Sequence, residues 1–111
     1  RGLGDVYKRQ VKGTPPEDLA PVTALTVQRI VQESLTNAIK HGTGSADLTV
    51  SWGDDAVEVL VSNPVAPGAV SQPGHGVEGM KQRASVVGGN VTTSLGATGT
   101  WATEARIPLH P

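Results

Sequence analysis

Four polar side chains have the types and spacing needed to handle a phosphate group. Glu33, Asn37, Lys40 and His41 follow one another at intervals of four, three and one residues, which places them along one flank of an α-helix. Carboxylate and carboxamide oxygens are hard ligands that suit Mg²⁺, and one protein oxygen together with substrate phosphates suffices for that ion. Glu33 could also accept a proton from, or orient, an attacking nucleophile. An ordinary solvated helix face with a Glu–Lys pair explains the same spacing, because E-x-x-x-N is common.

The glycine-rich segment 74–80 (GHGVEGM) is a second candidate. Gly74, Gly76 and Gly79 lie where a helix is predicted to begin, so backbone N–H groups could approach an anion closely in the positive potential of the helix N-terminus. A dinucleotide-binding fold would require a strand directly before these glycines, and a proline-rich segment stands there instead. A G-x-x-x-x-G-K-[ST] phosphate loop does not occur in the sequence. A plain flexible loop remains an equally good interpretation at this point.

A helix is predicted to carry the four polar residues between Glu33 and His41. Between residues 24 and 41 the apolar residues fill one arc at about 100° per residue. The prolines at 15, 16 and 21 predict a loop before it, with Glu17 and Asp18 near the positive end of the helix. Ser34 is most simply a small residue in a helix–sheet contact. The apolar arc consists of Val27, Ile30, Val31, Leu35, Ala38 and Ile39.

Pairs of strand-like runs surround a second helix. Alternating apolar residues predict two hairpins, and a segment with three prolines separates the first hairpin from the second helix. Because long loops in compact domains tend to be lids or binding loops, this segment is a candidate lid. The resulting order, β–α–β–β–loop–α–β–β with an uncertain first strand, predicts an α+β fold. We expect a two-layer α/β sandwich whose mostly antiparallel sheet carries helices on one face. The predicted ranges are 46–52 and 56–62 for the first hairpin, 63–74 for the loop, 76–87 for the helix, and 91–94 and 100–107 for the second hairpin.

Composition narrows the class of protein. A chain of 111 residues forms one domain, and nine Lys+Arg against ten Asp+Glu give a net charge of −1, which argues against binding to nucleic acid. Without cysteine there can be no disulfide, thiolate nucleophile or cysteine-ligated zinc. We predict a cytoplasmic domain over residues 11–111. Residues 1–10 are either a non-native addition or the beginning of a strand that continues through Val11.

Taken in order, these segments resemble the ATP-binding catalytic domain of bacterial sensor histidine kinases, which belong to the Bergerat-fold (GHKL) ATPases. Residues 29–41 (RIVQESLTNAIKH) are similar to the N-box of that family, and residues 74–89 are similar to its G2 glycine box with the helix that follows. The run 99–108 is similar to its closing element. Two ordered motifs are more specific than either alone. The resemblance covers residues 11–109 and is strongest to the subfamily whose partners are helix-turn-helix response regulators.

The resemblance implies phosphoryl transfer from ATP, first to a histidine on a separate dimerisation domain and then to a response regulator. Asn37 would coordinate the Mg²⁺ that bridges the phosphates, and Glu33 would act as the general base or its positioning equivalent. The remaining implied roles are contacts to phosphate or nucleotide by Lys40 and His41, a lid shaped by Gly74, Gly76 and Gly79, and an adenine pocket near Met80 with Thr100 on its floor.

The sequence departs from the family pattern at the G1 box, which usually reads D-x-G-x-G. Asn63 stands in place of the aspartate, and both glycines are missing. The carbonyl of an asparagine can still accept a hydrogen bond from the adenine amino group. Because a neutral acceptor contributes less than a charged one, we expect weaker adenine binding with phosphate binding retained.

The phosphoacceptor histidine of the family lies on an upstream helical domain, and none of the three histidines here has such a context. We therefore expect this chain to bind ATP without phosphorylating itself, within a longer parent anchored in a membrane. Two alternatives stay open. One is a non-catalytic nucleotide-binding or regulatory module, and the other is a serine kinase of the anti-sigma-factor type that acts on a separate protein.

Overall fold

The computed structural model describes residues 7–41, 45–65, 75–96 and 99–110. The order of elements is the predicted one, and the uncertain first strand is present. Neither of the two helices in these described ranges is long and apolar enough to cross a membrane. The elements are β1 (Tyr7–Lys12), α1 (Pro21–His41), β2 (Ala46–Trp52), β3 (Ala56–Pro64), α2 (His75–Val86), β4 (Asn90–Leu95) and β5 (Thr100–Pro108).

The strands form one five-stranded sheet in the order β1-β2-β3-β5-β4. β1 is parallel to β2, and the other three neighbouring pairs are antiparallel. The last strand, β5, therefore lies between β3 and β4. The parallel edge strand accounts for part of the N-terminal segment, since Tyr7 pairs with Ala46. The prediction of an α+β fold with a mostly antiparallel sheet is confirmed.

Alternate residues of the central strands are buried, because only one face of the sheet is covered by helices. On β3, Val57, Val59 and Val61 are buried while Glu58 and Leu60 are exposed. Helix α1 packs on β2, β3 and β5, and α2 packs on β4, β5 and α1. Each fully buried Val, Leu, Ile or Met contributes about 1.5–3 kcal/mol. The core formed in this way holds both helices in fixed positions on one face of the sheet.

Helix α1 begins at Pro21, three residues before the predicted start. Proline suits the first position of a helix because its fixed φ is helical and its missing N–H is not needed there. Glu17 and Asp18 consequently lie before the helix, and the first turn of α1 holds no acidic residue. They lie near the helix start, as expected, but outside its first turn.

Helix α2 begins and ends one residue earlier than predicted and terminates in a Schellman motif. Gly88 adopts a φ of 81°, and the N–H of Gly89 donates to the carbonyl oxygen of Ala84 over 2.8 Å. A Cβ on Gly89 would lie 2.5 Å from the carbonyl oxygen of Arg106. The two glycines therefore end the helix and allow the chain to approach β5 closely.

Candidate functional site

The polar flank of α1 lies at the border of its buried face. Glu33 and Asn37 are half-buried and one helical turn apart, while Lys40 is exposed. They are held there because Ile30 and Ala38 on the neighbouring face are buried in the core. His41 is the last residue of α1, and its side chain lies outside the described residues. The carboxylate and carboxamide oxygens of this flank have the chemistry that a hydrated Mg²⁺ requires.

Asn63 is a buried strand residue, not the first residue of a loop as predicted. It is 2% exposed and shares the helix-facing side of β3 with Val59 and Val61. Its Nδ2 donates to the carbonyl oxygen of Pro64 over 3.3 Å, whereas Oδ1 has no hydrogen-bond partner among the described residues. An unpaired buried acceptor costs about 1–3 kcal/mol, so a hydrogen-bond donor that reached Oδ1 would be stabilised there.

The sheet register places Thr100 at the same end of the sheet as Asn63. Thr100 is the first residue of β5 and pairs with Pro64, and Trp101 pairs with Asn63. The Thr100 side chain is exposed. Asn63 and Thr100, which are far apart in sequence, are thereby brought to one end of the sheet. Their side chains lie on opposite faces, because directly paired residues share a face and Thr100 pairs with Pro64, the neighbour of Asn63. The predicted lid that follows Val65 lies outside the described residues.

The glycine segment enters α2 as predicted. Gly74 lies outside the described residues, and Gly76 falls in the first turn of the helix. Gly79 is half-buried, and a Cβ placed on it would lie 3.3 Å from Nη1 of Arg83. The first backbone N–H groups of any helix have no partner within the helix and attract anions. Exposed Glu78 in the same turn complements that positive end.

Met80 joins the glycine segment to α1. Its side chain is fully buried, and its Sδ accepts a hydrogen bond from Oγ of Ser34 over 3.3 Å. Ser34 was expected to make a helix–sheet contact, and its bond to Met80 instead connects helix α1 to helix α2. Sequence spacing gave no signal for it, because the two residues are 46 positions apart.

The chain is similar in sequence to two sensor kinases. It is 36% identical over 74 residues to the signal transduction histidine-protein kinase/phosphatase UhpB of Salmonella typhimurium, a match covering 63% of this chain. It is 31% identical over 99 residues to the sensor histidine kinase YxjM of Bacillus subtilis, covering 87% of this chain. The matches span only 15% and 24% of those two relatives. No protein-family model matches the chain.

A solved structure has the same fold. The catalytic domain of histidine kinase ThkA, in a nucleotide-free form, aligns with a TM-score of 0.68 at 16% identity. The alignment covers 96% of this chain and 81% of that domain. The sequence resemblance to sensor histidine kinases is thus confirmed by the two relatives, and this structure shows that the fold is shared with a histidine kinase catalytic domain.

Proposed function

We propose that this domain, which has the fold of the sensor histidine kinase catalytic domain, binds ATP with Mg²⁺ for phosphoryl transfer to a histidine. The phosphoacceptor would lie on a separate dimerisation domain of a longer parent chain. A response regulator, of the helix-turn-helix type according to the resemblance, would then receive the phosphoryl group. The observation that carries the proposal is the buried Oδ1 of Asn63, which has no partner in the described part of the chain.

The base would bind beside the end of β3. An adenine amino group is a donor that would satisfy Oδ1 of Asn63. Since Nδ2 already donates to the carbonyl oxygen of Pro64, the amide is oriented with its acceptor free. Met80 would contribute to the apolar side of the pocket, whereas Thr100 lies at the same end of the sheet on the face opposite Asn63.

The phosphates would bind between α1 and the beginning of α2. Asn37 would hold the Mg²⁺, which neutralises phosphate charge during transfer, and Glu33 would act as the base that orients or deprotonates the attacking histidine. Half-burial of both side chains restricts their rotamers while leaving them accessible. The remaining contacts would come from Lys40 and His41 at the end of α1, and from a lid shaped by Gly74, Gly76 and Gly79.

Nucleotide binding is tested by calorimetric titration of ADP and a non-hydrolysable ATP analogue, with and without Mg²⁺. We expect micromolar, magnesium-dependent binding that Asn37→Ala removes. Gln32→Ala is the matched control, because it deletes an exposed amide from the same helix outside the proposed site. If no binding is seen at millimolar nucleotide, the proposal is contradicted, and a non-catalytic interaction module becomes the remaining interpretation of the domain.

The phosphoacceptor is tested separately. The purified chain, radiolabelled ATP and a helical dimerisation fragment carrying a histidine should together give a phosphoryl group on that fragment. The product should be labile to acid and stable to alkali, as phosphohistidine is. The chain alone should incorporate no label. An acid-stable product on a partner protein would instead favour the serine kinase alternative.

A further inference from the structure

We infer that Ser34 positions the N-terminal half of α2 against the helix that carries Glu33 and Asn37. The inference rests on the proposed function, because it concerns how the two halves of that site are held together. It starts from the hydrogen bond between Oγ of Ser34 and Sδ of Met80. The two residues are 1% and 0% exposed, so water does not compete for either atom.

The acceptor of this bond is unusual for a hydroxyl within a helix. Such hydroxyls ordinarily donate to the carbonyl four residues earlier. Thr26 and Thr36 of the same helix do so, over 2.7 and 2.8 Å. Ser34 donates across to α2 even though a thioether sulfur is a weak acceptor. Met80 is therefore packed against α1 closely enough that its sulfur takes the place of a backbone carbonyl.

The Ser34–Met80 bond lies between the two parts of the proposed phosphate site. Ser34 directly follows Glu33 and lies three residues before Asn37, so it shares a turn with the proposed magnesium ligand. Met80 lies within the first two turns of α2, which begins at His75. Free N–H groups at a helix N-terminus bind an anion only where they are aimed at it. The Ser34–Met80 bond thus sets the spacing between the proposed magnesium ligand and those N–H groups.

The test compares Ser34→Ala, Met80→Leu and the double variant by ADP titration with and without Mg²⁺. Ser34→Ala should weaken binding about fivefold with Mg²⁺ and change it little without Mg²⁺. Met80→Leu removes the same bond at a residue proposed to line the base pocket, so it should weaken binding at least as much with Mg²⁺. The double variant should be no weaker than Met80→Leu, since both changes remove one bond. Leucine conserves the volume of methionine, so the fold should be retained. Thr36→Ala, which deletes a hydroxyl bonded within α1, is the matched control and should bind as wild type does.

A second readout needs no nucleotide. Backbone amides in the first turns of α2 should exchange hydrogen faster in Ser34→Ala than in wild type or Thr36→Ala. Equal losses of ADP affinity with and without Mg²⁺ in Ser34→Ala would indicate a direct effect on the base and overturn the inference. Unchanged exchange, or additive single effects, would overturn it as well while leaving the proposed function intact. If the wild-type chain bound no nucleotide at all, the proposed function would fail and this inference with it.

Discussion

Replacing Asn63 with leucine should change stability and binding in opposite directions. In the nucleotide-free domain the substitution removes a buried acceptor that has no partner in the part of the chain that the structure describes, which returns about 1–3 kcal/mol. It also loses the 3.3 Å bond from Nδ2 to the carbonyl oxygen of Pro64, worth ~0.5 kcal/mol at that length. Leucine has the same branching and number of side-chain heavy atoms as asparagine and is better suited to a buried strand position, but its methyl groups are larger than the amide and offset part of the gain. The net gain should be about 0.5–2 kcal/mol.

The assay is thermal unfolding paired with ADP titration. For a domain of this size, each kcal/mol raises Tm by about 4–8 °C. Loss of the base acceptor should weaken ADP binding about 10- to 100-fold, while tripolyphosphate with Mg²⁺, which has no base, should bind Asn63→Leu and wild type equally.

Thr23 provides the matched control. Its Oγ1 is the other buried side-chain atom without a partner among the described residues, and it lies fourteen residues before Asn37, about 21 Å along α1. Thr23→Val should therefore raise Tm without affecting ADP affinity. A lower Tm for Asn63→Leu together with wild-type ADP affinity would refute the assignment of Oδ1 as the base acceptor.

Three further changes test other parts of the site and fold. Glu33→Gln should leave ADP affinity within about twofold and slow phosphoryl transfer to the dimerisation fragment about 100-fold or more, measured in a single turnover. Gly89→Ala should destabilise the domain by ~3 kcal/mol because its Cβ would lie 2.5 Å from a carbonyl oxygen, whereas Gly96→Ala makes an ordinary 3.6 Å contact and should be tolerated. Asn63→Asp should bind ADP about 2- to 30-fold more tightly at neutral pH. Because burial would raise the pKa of the new carboxyl in the empty domain, nucleotide-free stability should fall as pH rises above the pKa of an unfolded aspartate, as thermal unfolding can show.

Local patterns predicted most of the fold. The apolar arc of α1 predicted the buried face of the helix, and the alternation of apolar and polar residues predicted both hairpins. Both patterns depend only on residues a few positions apart. The parallel pairing of β1 with β2 was not predicted, since a parallel neighbour leaves no turn signal between the strands. The first residue of α1 was missed because Pro21 was assigned to the loop, although proline is also favoured at the first helical position.

The site was predicted less completely than the fold, for a physical reason. Spacing along one helix brought Glu33 and Asn37 together, and the structure shows both on the border of the core. The burial of Asn63 depends on β5 pairing along β3 as far as Pro64, a contact between distant segments. The bond from Ser34 to Met80 likewise depends on how two helices pack. Such contacts follow from the tertiary arrangement and have no local pattern.

In the proposed nucleotide site, the neutral side chain at position 63 would change how affinity is distributed among the contacts to base, phosphates and Mg²⁺. A carboxylate buried without a partner would cost several kcal/mol in the empty domain, a large part of the 5–15 kcal/mol that stabilises a typical domain. The amide costs less and satisfies its own donor through Pro64, but it offers the base a weaker acceptor. More of the affinity must then come from the phosphates, Mg²⁺ and the α1–α2 contact. Removing Mg²⁺ should therefore weaken ADP binding more than replacing ADP with another purine diphosphate does.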